Sequence, residues 1–229
     1  MEPLLTVSSL GVRLRGKDVL EGLSFELLRA ETLVILGPNG AGKTVLLRAL
    51  LGLVPRAGTV RWESGVSAGY VPQRLVVAPD LPVTVEDFFE LQGLSREAAP
   101  AALALVGLKE PSLARDRLGH LSSGQFQRVL IASALARRPD VLLCYEPTAG
   151  IDVKGEQTIY ELLQEHQQRT GMAIILVTHD LSVVYGHATR ALCINKKPYC
   201  YGAPRDVLTP DNLEALYGAG VRFVRHVHE

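Results

Sequence analysis

The chain carries no surplus of either charge: 24 lysines and arginines balance 24 aspartates and glutamates over 229 residues. Without a broad positive field it has nothing to hold nucleic acid or an anionic lipid surface, which argues against a DNA- or RNA-binding protein, although a local basic pocket stays open. Cysteine is scarce. Cys144, Cys193 and Cys200 are too few and too scattered for a disulfide framework, and Cys144, in an apolar run, is expected to be a reduced cytosolic thiol. Long hydrophobic runs are missing as well. None approaches the roughly 18–20 apolar residues that cross a bilayer, and stretches such as AIILV and VLLCY have the length of buried strands. The opening MEPLLTVSSL lacks the basic region and apolar core of a signal peptide, so none is expected. There is no internal repeat, no low-complexity segment and no coiled-coil heptad run. The chain is long enough to bury a real core, as one large domain or one domain with a small insertion.

What is present alternates between two periods. Leu4 to about Leu28 alternates apolar and polar positions, with Gly16, Lys17 and Asp18 suited to a turn, and predicts an antiparallel sheet. ETLVILG reads as a fully buried strand, and KTVLLRALLGLV after it as a helix with leucines at i, i+3 and i+4. From Pro82 to about Arg138 the texture turns helical, and Thr84 with Asp87 has the form of a capping box. Then DVLLCY reads as a strand, GEQTIYELLQEHQQRTG as an amphipathic helix closed by Gly171, and MAIILVT as another strand. A hairpin over ALCINKKPYCYGAP and a short helix over Asp211 to Tyr217 follow. Strands alternating with helices predict an α/β fold with a parallel sheet and crossover helices.

GPNGAGKT, residues Gly37 to Thr44, fits the pattern Gly, four residues, Gly, Lys, then Ser or Thr, between a buried strand and a helix. Gly37, Gly40 and Gly42 let successive backbone N–H groups turn inward on phosphate oxygens, with Pro38, Asn39 and Ala41 completing the loop. The helix N-terminus adds partial positive charge. In that pattern Lys43 would reach the β- and γ-phosphates and the Thr44 hydroxyl would ligate magnesium.

Four further stretches stand in order: YVPQ (Tyr70 to Gln73), LSSGQFQRVLIASAL (from Leu121), VLLCYEPTAGID (Val141 to Asp152) and ILVTHD (to Asp180). With the phosphate loop, this series resembles the ATP-binding subunits of ABC transporters over nearly the whole chain. The resemblance implies a P-loop NTPase (RecA-like) core with a parallel sheet, an N-terminal antiparallel β subdomain and an inserted α-helical subdomain. It implies one domain over 1–229, with 1–81 and 139–229 as the nucleotide-binding core and 82–138 as the helical part. Ser122, Ser123, Gly124 and Gln125 would cap, in trans, the nucleotide held by a second copy. Glu146 would be the general base, His179 would contact the γ-phosphate, Gln73 would approach magnesium and water, and Asp152 would communicate across the dimer. ATP and Mg²⁺ are the implied cofactors. An ATP-dependent homodimer, a membrane permease and an extracytoplasmic metal-binding protein are the implied partners, with no nucleic acid and no insertion into the membrane. The place implied is the cytoplasmic face of the cell membrane.

The chain departs from that pattern in four places. Tyr145 stands where the family carries the aspartate that holds magnesium, and a neutral phenol is a poor Mg²⁺ ligand. Val45 replaces the second hydroxyl residue that bonds the α-phosphate. No aromatic residue lies near Leu14 or Arg15 to stack on adenine, and Arg15 would have to serve instead. Ser123 replaces a glycine, which a negative φ would tolerate. These departures imply weakened binding and slow hydrolysis. GYVPQRL, LPVTVEDFF, ALCINKKPYCYG and the terminal HVHE, with His226 and His228, resemble the zinc and manganese uptake group in particular. Two alternatives remain: a nucleotide-responsive module that barely hydrolyses ATP because of Tyr145, and a non-transport ABC protein.

Overall fold

The computed structural model describes residues 2–218 except 74, 76, 149, 150 and 152. Two compact units emerge, Met1–Ser64 with Ile175–Glu229, and Gly65–Ile174.

In the first unit, β1 (Leu5–Leu14) pairs antiparallel with β2 (Lys17–Leu27), and β4 (Ala57–Trp62) joins the other edge of β1, giving the order β2-β1-β4. The expected N-terminal antiparallel sheet is there. Its turn falls at Arg15 and Gly16, at φ +48 and +78, while Lys17 and Asp18 already pair in β2. Alternation drives the fold of this sheet: Leu5, Val7, Leu10 and Val12 of β1 are buried against Leu20, Leu23, Phe25 and Leu27 of β2. β4 was not expected, because AGTVRW carries few apolar residues and its strand is mostly exposed.

β3 (Thr32–Leu36) is buried at every position, as its unbroken apolar run requires, and feeds α1 (Lys43–Leu50). The indole Nε1 of Trp62 donates to the Leu50 carbonyl at 3.0 Å, tying β4 to the last turn of α1. β8 (Arg190–Asn195) pairs parallel with β3, Leu36 opposite Cys193. β9 (Lys197–Gly202) returns antiparallel, so the expected hairpin forms. α6 (Leu181–His187), α7 (Pro204–Val207) and α8 (Pro210–Tyr217) complete this unit, and the anticipated C-terminal helix is α8.

The hairpin corrects the expectation that the cysteines are too scattered to pair. Cys193 and Cys200 lie directly opposite each other across β8 and β9, 4.8 Å apart at Cα, and form a disulfide. Their seven-residue separation looked scattered along the sequence, but an antiparallel return places them as neighbours. Cys144 is free and fully buried, and burial pushes its thiol up to about 12.

In the second unit β5 (Ala68–Val71) and β6 (Val141–Tyr145) pair parallel, Tyr70 opposite Leu143. The helical segment holds α2 (Val85–Leu91), α3 (Ala98–Leu105) and α4 (Ser123–Ala136), packed over Val85, Phe89, Leu103, Val129 and Ile131. Thr84 caps α2 as expected, its hydroxyl accepting from the Asp87 N–H while Asp87 accepts from the Thr84 N–H. α5 (Val153–Thr170) ends at Gly171, which takes φ +71 as a helix-closing glycine does. β7 (Ala173–Val177), where the two units meet along the chain, is buried at every position. The neighbouring strands β3 and β8 run parallel, as do β5 and β6, which is the α/β class.

Candidate functional site: a phosphate cradle and its companion loops

The phosphate loop grows from the order of β3 and α1. Gly42 precedes α1 at φ +97, a left-handed conformation that a Cβ would strain, and such a Cβ would also lie 2.6 Å from Leu20 Cδ2. No side chain among the described residues caps α1, so its first N–H groups remain donors for an anion. Lys43 opens the helix and is buried. Its ammonium donates to the carbonyls of Gly37 at 2.6 Å and Pro38 at 3.0 Å. The cation is therefore held on the loop itself, and an anionic phosphate is a stronger acceptor than either carbonyl. Asn39 and Gly40 are exposed at the crest, Ala41 is buried beneath it, and Thr44 and Val45 are partly exposed on the first turn. These residues suit a polyphosphate.

His179, exposed, follows β7 in the same unit. Thr178 before it is buried and accepts from the Asp180 N–H at 3.1 Å, and Asp180 caps α6 by accepting from the Ser182 N–H at 2.8 Å. The histidine is thus held between a buried threonine and a helix cap.

In the second unit β6 delivers Tyr145 and Glu146 at its end. Gln73, just beyond β5, donates through Nε2 to the Glu146 carboxylate. Two of the sequence-predicted residues, 73 positions apart, are thereby brought together. Glu146 takes φ +43, an uncommon backbone state for a side-chain-bearing residue. Such outliers concentrate where function fixes the direction of a side chain. Tyr145 is partly exposed, so no carboxylate accompanies Glu146 on the two last positions of the strand.

At the start of α4, Ser122 and Gln125 close a capping box: the Ser122 Oγ accepts from the Gln125 N–H at 3.2 Å and Gln125 Oε1 accepts from the Ser122 N–H at 3.0 Å. A hydroxyl has one proton and two lone pairs, so the cap leaves the Ser122 proton free of this duty. Ser123 is the first helical residue and shows no positive φ, so its side chain is carried without backbone strain. Gly124 has room for a Cβ, the nearest atom being Ile151 Cγ2 at 3.8 Å. Taken in isolation the segment also reads as a serine-capped helix, which this box bears out, whereas the return bond from Gln125 was not foreseen. Asp152, His226, His228 and the rest of the terminal segment lie outside the described residues, as does part of the stretch after Glu146.

A phosphate loop between a buried strand and a helix, in a sheet of parallel strands, defines the class of nucleotide-binding P-loop proteins. Residues 20–149 match the model of the ABC transporter family. The zinc import ATP-binding protein ZnuC of Cereibacter sphaeroides is 44% identical over 223 residues, 96% of this chain and 90% of the relative. ZnuC of Ruegeria pomeroyi is 40% identical over 96% of this chain and 86% of its own length. Among solved structures, a metal-chelate type ABC transporter in an inward-facing conformation superposes with a TM-score of 0.84 at 28% identity, covering 94% of this chain and 89% of the other. CbiO1 of Clostridium perfringens, part of the ABC transporter complex cbiONQ, reaches 0.78 at 27% identity over 94% of both chains. The chain belongs to the ABC transporter family.

Proposed function

We propose that this chain is the ATP-hydrolysing subunit of a metal-ion importer of the zinc and manganese group, pairing with a second copy on binding ATP and driving a membrane permease. The observation that carries the nucleotide half is Lys43, buried and held on the loop carbonyls in front of an uncapped helix. The cargo half draws on the zinc-import relatives, which match it over nearly its whole length. An extracytoplasmic metal-binding protein would deliver the ion. Among the described residues no helix is long and apolar enough to cross a membrane, so in this reading contact with the bilayer passes through the permease.

On this reading, Lys43 exchanges the Gly37 and Pro38 carbonyls for β- and γ-phosphate oxygens, trading dipoles for full charges. The N–H groups of Asn39, Gly40 and Gly42 and the α1 N-terminus meet the remaining oxygens. Glu146, oriented by Gln73, takes the proton of the attacking water, and His179 donates to the γ-phosphate. Ser122, Ser123 and Gly124 of one copy offer a hydroxyl proton and backbone N–H groups to the nucleotide of the other, and Asp152 links the copies. Thr44 and Gln73 are the groups that would hold magnesium, which neutralises charge on the phosphates when bound. Tyr145 adds nothing to that set, so hydrolysis is slowed without being abolished, since positioning and electrostatic stabilisation are shared among several donors. The relatives are transporter subunits, which leaves the non-transport alternative without support.

The test is reconstitution with the cognate permease in vesicles. Zinc or manganese uptake is expected to depend on ATP. Glu146→Gln is expected to cut phosphate release by at least about a hundredfold while leaving ATP binding intact. Uptake of neither ion, or normal turnover in that variant, sinks the proposal.

A further inference from the structure

The inner face of the loop serves phosphate, but the loop's back is held by residues with no part in the reading above. Gly37 continues the parallel register of β3 along β8, which brings its α-carbon against the end of that strand. A Cβ there would lie 2.1 Å from the Ile194 carbonyl oxygen and 3.1 Å from the Ala41 Cβ. Two residues further, the Lys196 N–H donates to the Ala41 carbonyl at 3.0 Å, and the Lys196 carbonyl accepts from the Glu21 N–H at 2.8 Å. Lys196 does this with its side chain exposed and at φ +63, a left-handed state that lysine rarely adopts. The turn is closed from behind by the Cys193–Cys200 pair, and α8 packs against β8 and β9. From the last turn of α8 the half-buried Tyr217 hydroxyl meets the Gly37 N–H.

A loop with three glycines in eight residues has little conformational preference of its own, so the aim of its N–H groups has to be imposed from outside. Three contacts on two loop residues supply that constraint: Ile194 and Tyr217 at Gly37, and Lys196 at Ala41.

We propose that the Ile194–Lys197 turn and α8 form a brace for the phosphate loop, with Lys196 and Tyr217 as positioning residues that set ATP affinity without touching the nucleotide. The proposal rests on the loop being the phosphate cradle. A released brace leaves the loop mobile when empty and still ordered by phosphate when full. Its loss therefore weakens binding and spares turnover at saturation.

The measurement is ATP affinity by titration calorimetry on the full chain, beside turnover at saturating ATP. Lys196→Pro removes the N–H and forbids the positive φ. Lys196→Gly, the conservative variant for the backbone, keeps both. Tyr217→Phe removes one hydroxyl and nothing else. Losing one such hydrogen bond is expected to raise the ATP Kd about threefold for Tyr217→Phe and at least about fivefold for Lys196→Pro, with saturating turnover within about twofold and Lys196→Gly binding like the parent. Parental affinity in both Tyr217→Phe and a folded Lys196→Pro overturns the brace, as does a loss confined to turnover. If circular dichroism shows Lys196→Pro unfolded, Tyr217→Phe decides alone. Lys43→Ala separates the two readings. Undiminished ATP binding in that variant faults the cradle itself, whereas weakened binding there with parental binding in both Tyr217→Phe and a folded Lys196→Pro faults the brace.

Discussion

Tyr145 ends β6 one residue before a glutamate whose backbone is bent to φ +43. A carboxylate in its place would restore a charged oxygen at the strand end, where Mg²⁺ favours one. Tyr145→Asp is accordingly expected to raise magnesium-dependent phosphate release by at least about tenfold, or ~1.4 kcal/mol of barrier. Steady-state phosphate release of the two forms checks this, and equal rates refute it. The strand, loop and helix around Gly37 to Thr44 were legible in the sequence because glycine spacing and the flanking apolar runs dictate them, and Glu146 was singled out by the family resemblance. The bend at Glu146 and its bond from Gln73 were not, since both depend on how β5 and β6 pair across 73 residues. His166 was also missed. It lies on the apolar side of α5, where burial, followed by the nearby Arg169, holds its imidazole below the usual 6.5. The folded chain then resists a proton that the unfolded chain accepts, so stability is full above about pH 6.5 and falls as pH drops below it. Urea midpoints between about pH 7.5 and 5.5 are expected to decline in the parent and to decline less in His166→Gln.

At the scale of elements, α4 illustrates one residue serving two ends. Its N-terminus is satisfied by the Ser122 and Gln125 box, so Ser122→Ala is expected to cost about 1 kcal/mol of stability, read as a lower urea midpoint, whether or not nucleotide is present. Residues that keep to one period announced their elements: the unbroken apolar β3, β6 and β7, the capped α2 and α5 with its closing glycine. β4 and α6 stayed hidden. β4 is held by pairing to β1 and by one indole bond more than by burial of its own side chains, and α6 is two short turns started by Asp180. The Cys193–Cys200 pair was hidden for a related reason, because register decides which side chains face each other and composition does not.

At the scale of the whole molecule, 24 basic and 24 acidic residues leave no broad field of either sign, and no helix among the described residues is long and apolar enough to cross a membrane. The α/β class followed from the alternation of strands and helices, whereas the pairing of β3 with β8 did not, since these parallel neighbours lie more than 150 residues apart in the chain. The tie between Trp62 and Leu50 has an optical consequence. The chain has one tryptophan, so its indole emission comes from a single point, and that point is bonded to the last turn of the helix that begins at Lys43. Whatever loosens that turn frees the indole N–H, and the colour of the emitted light will register it without any added dye.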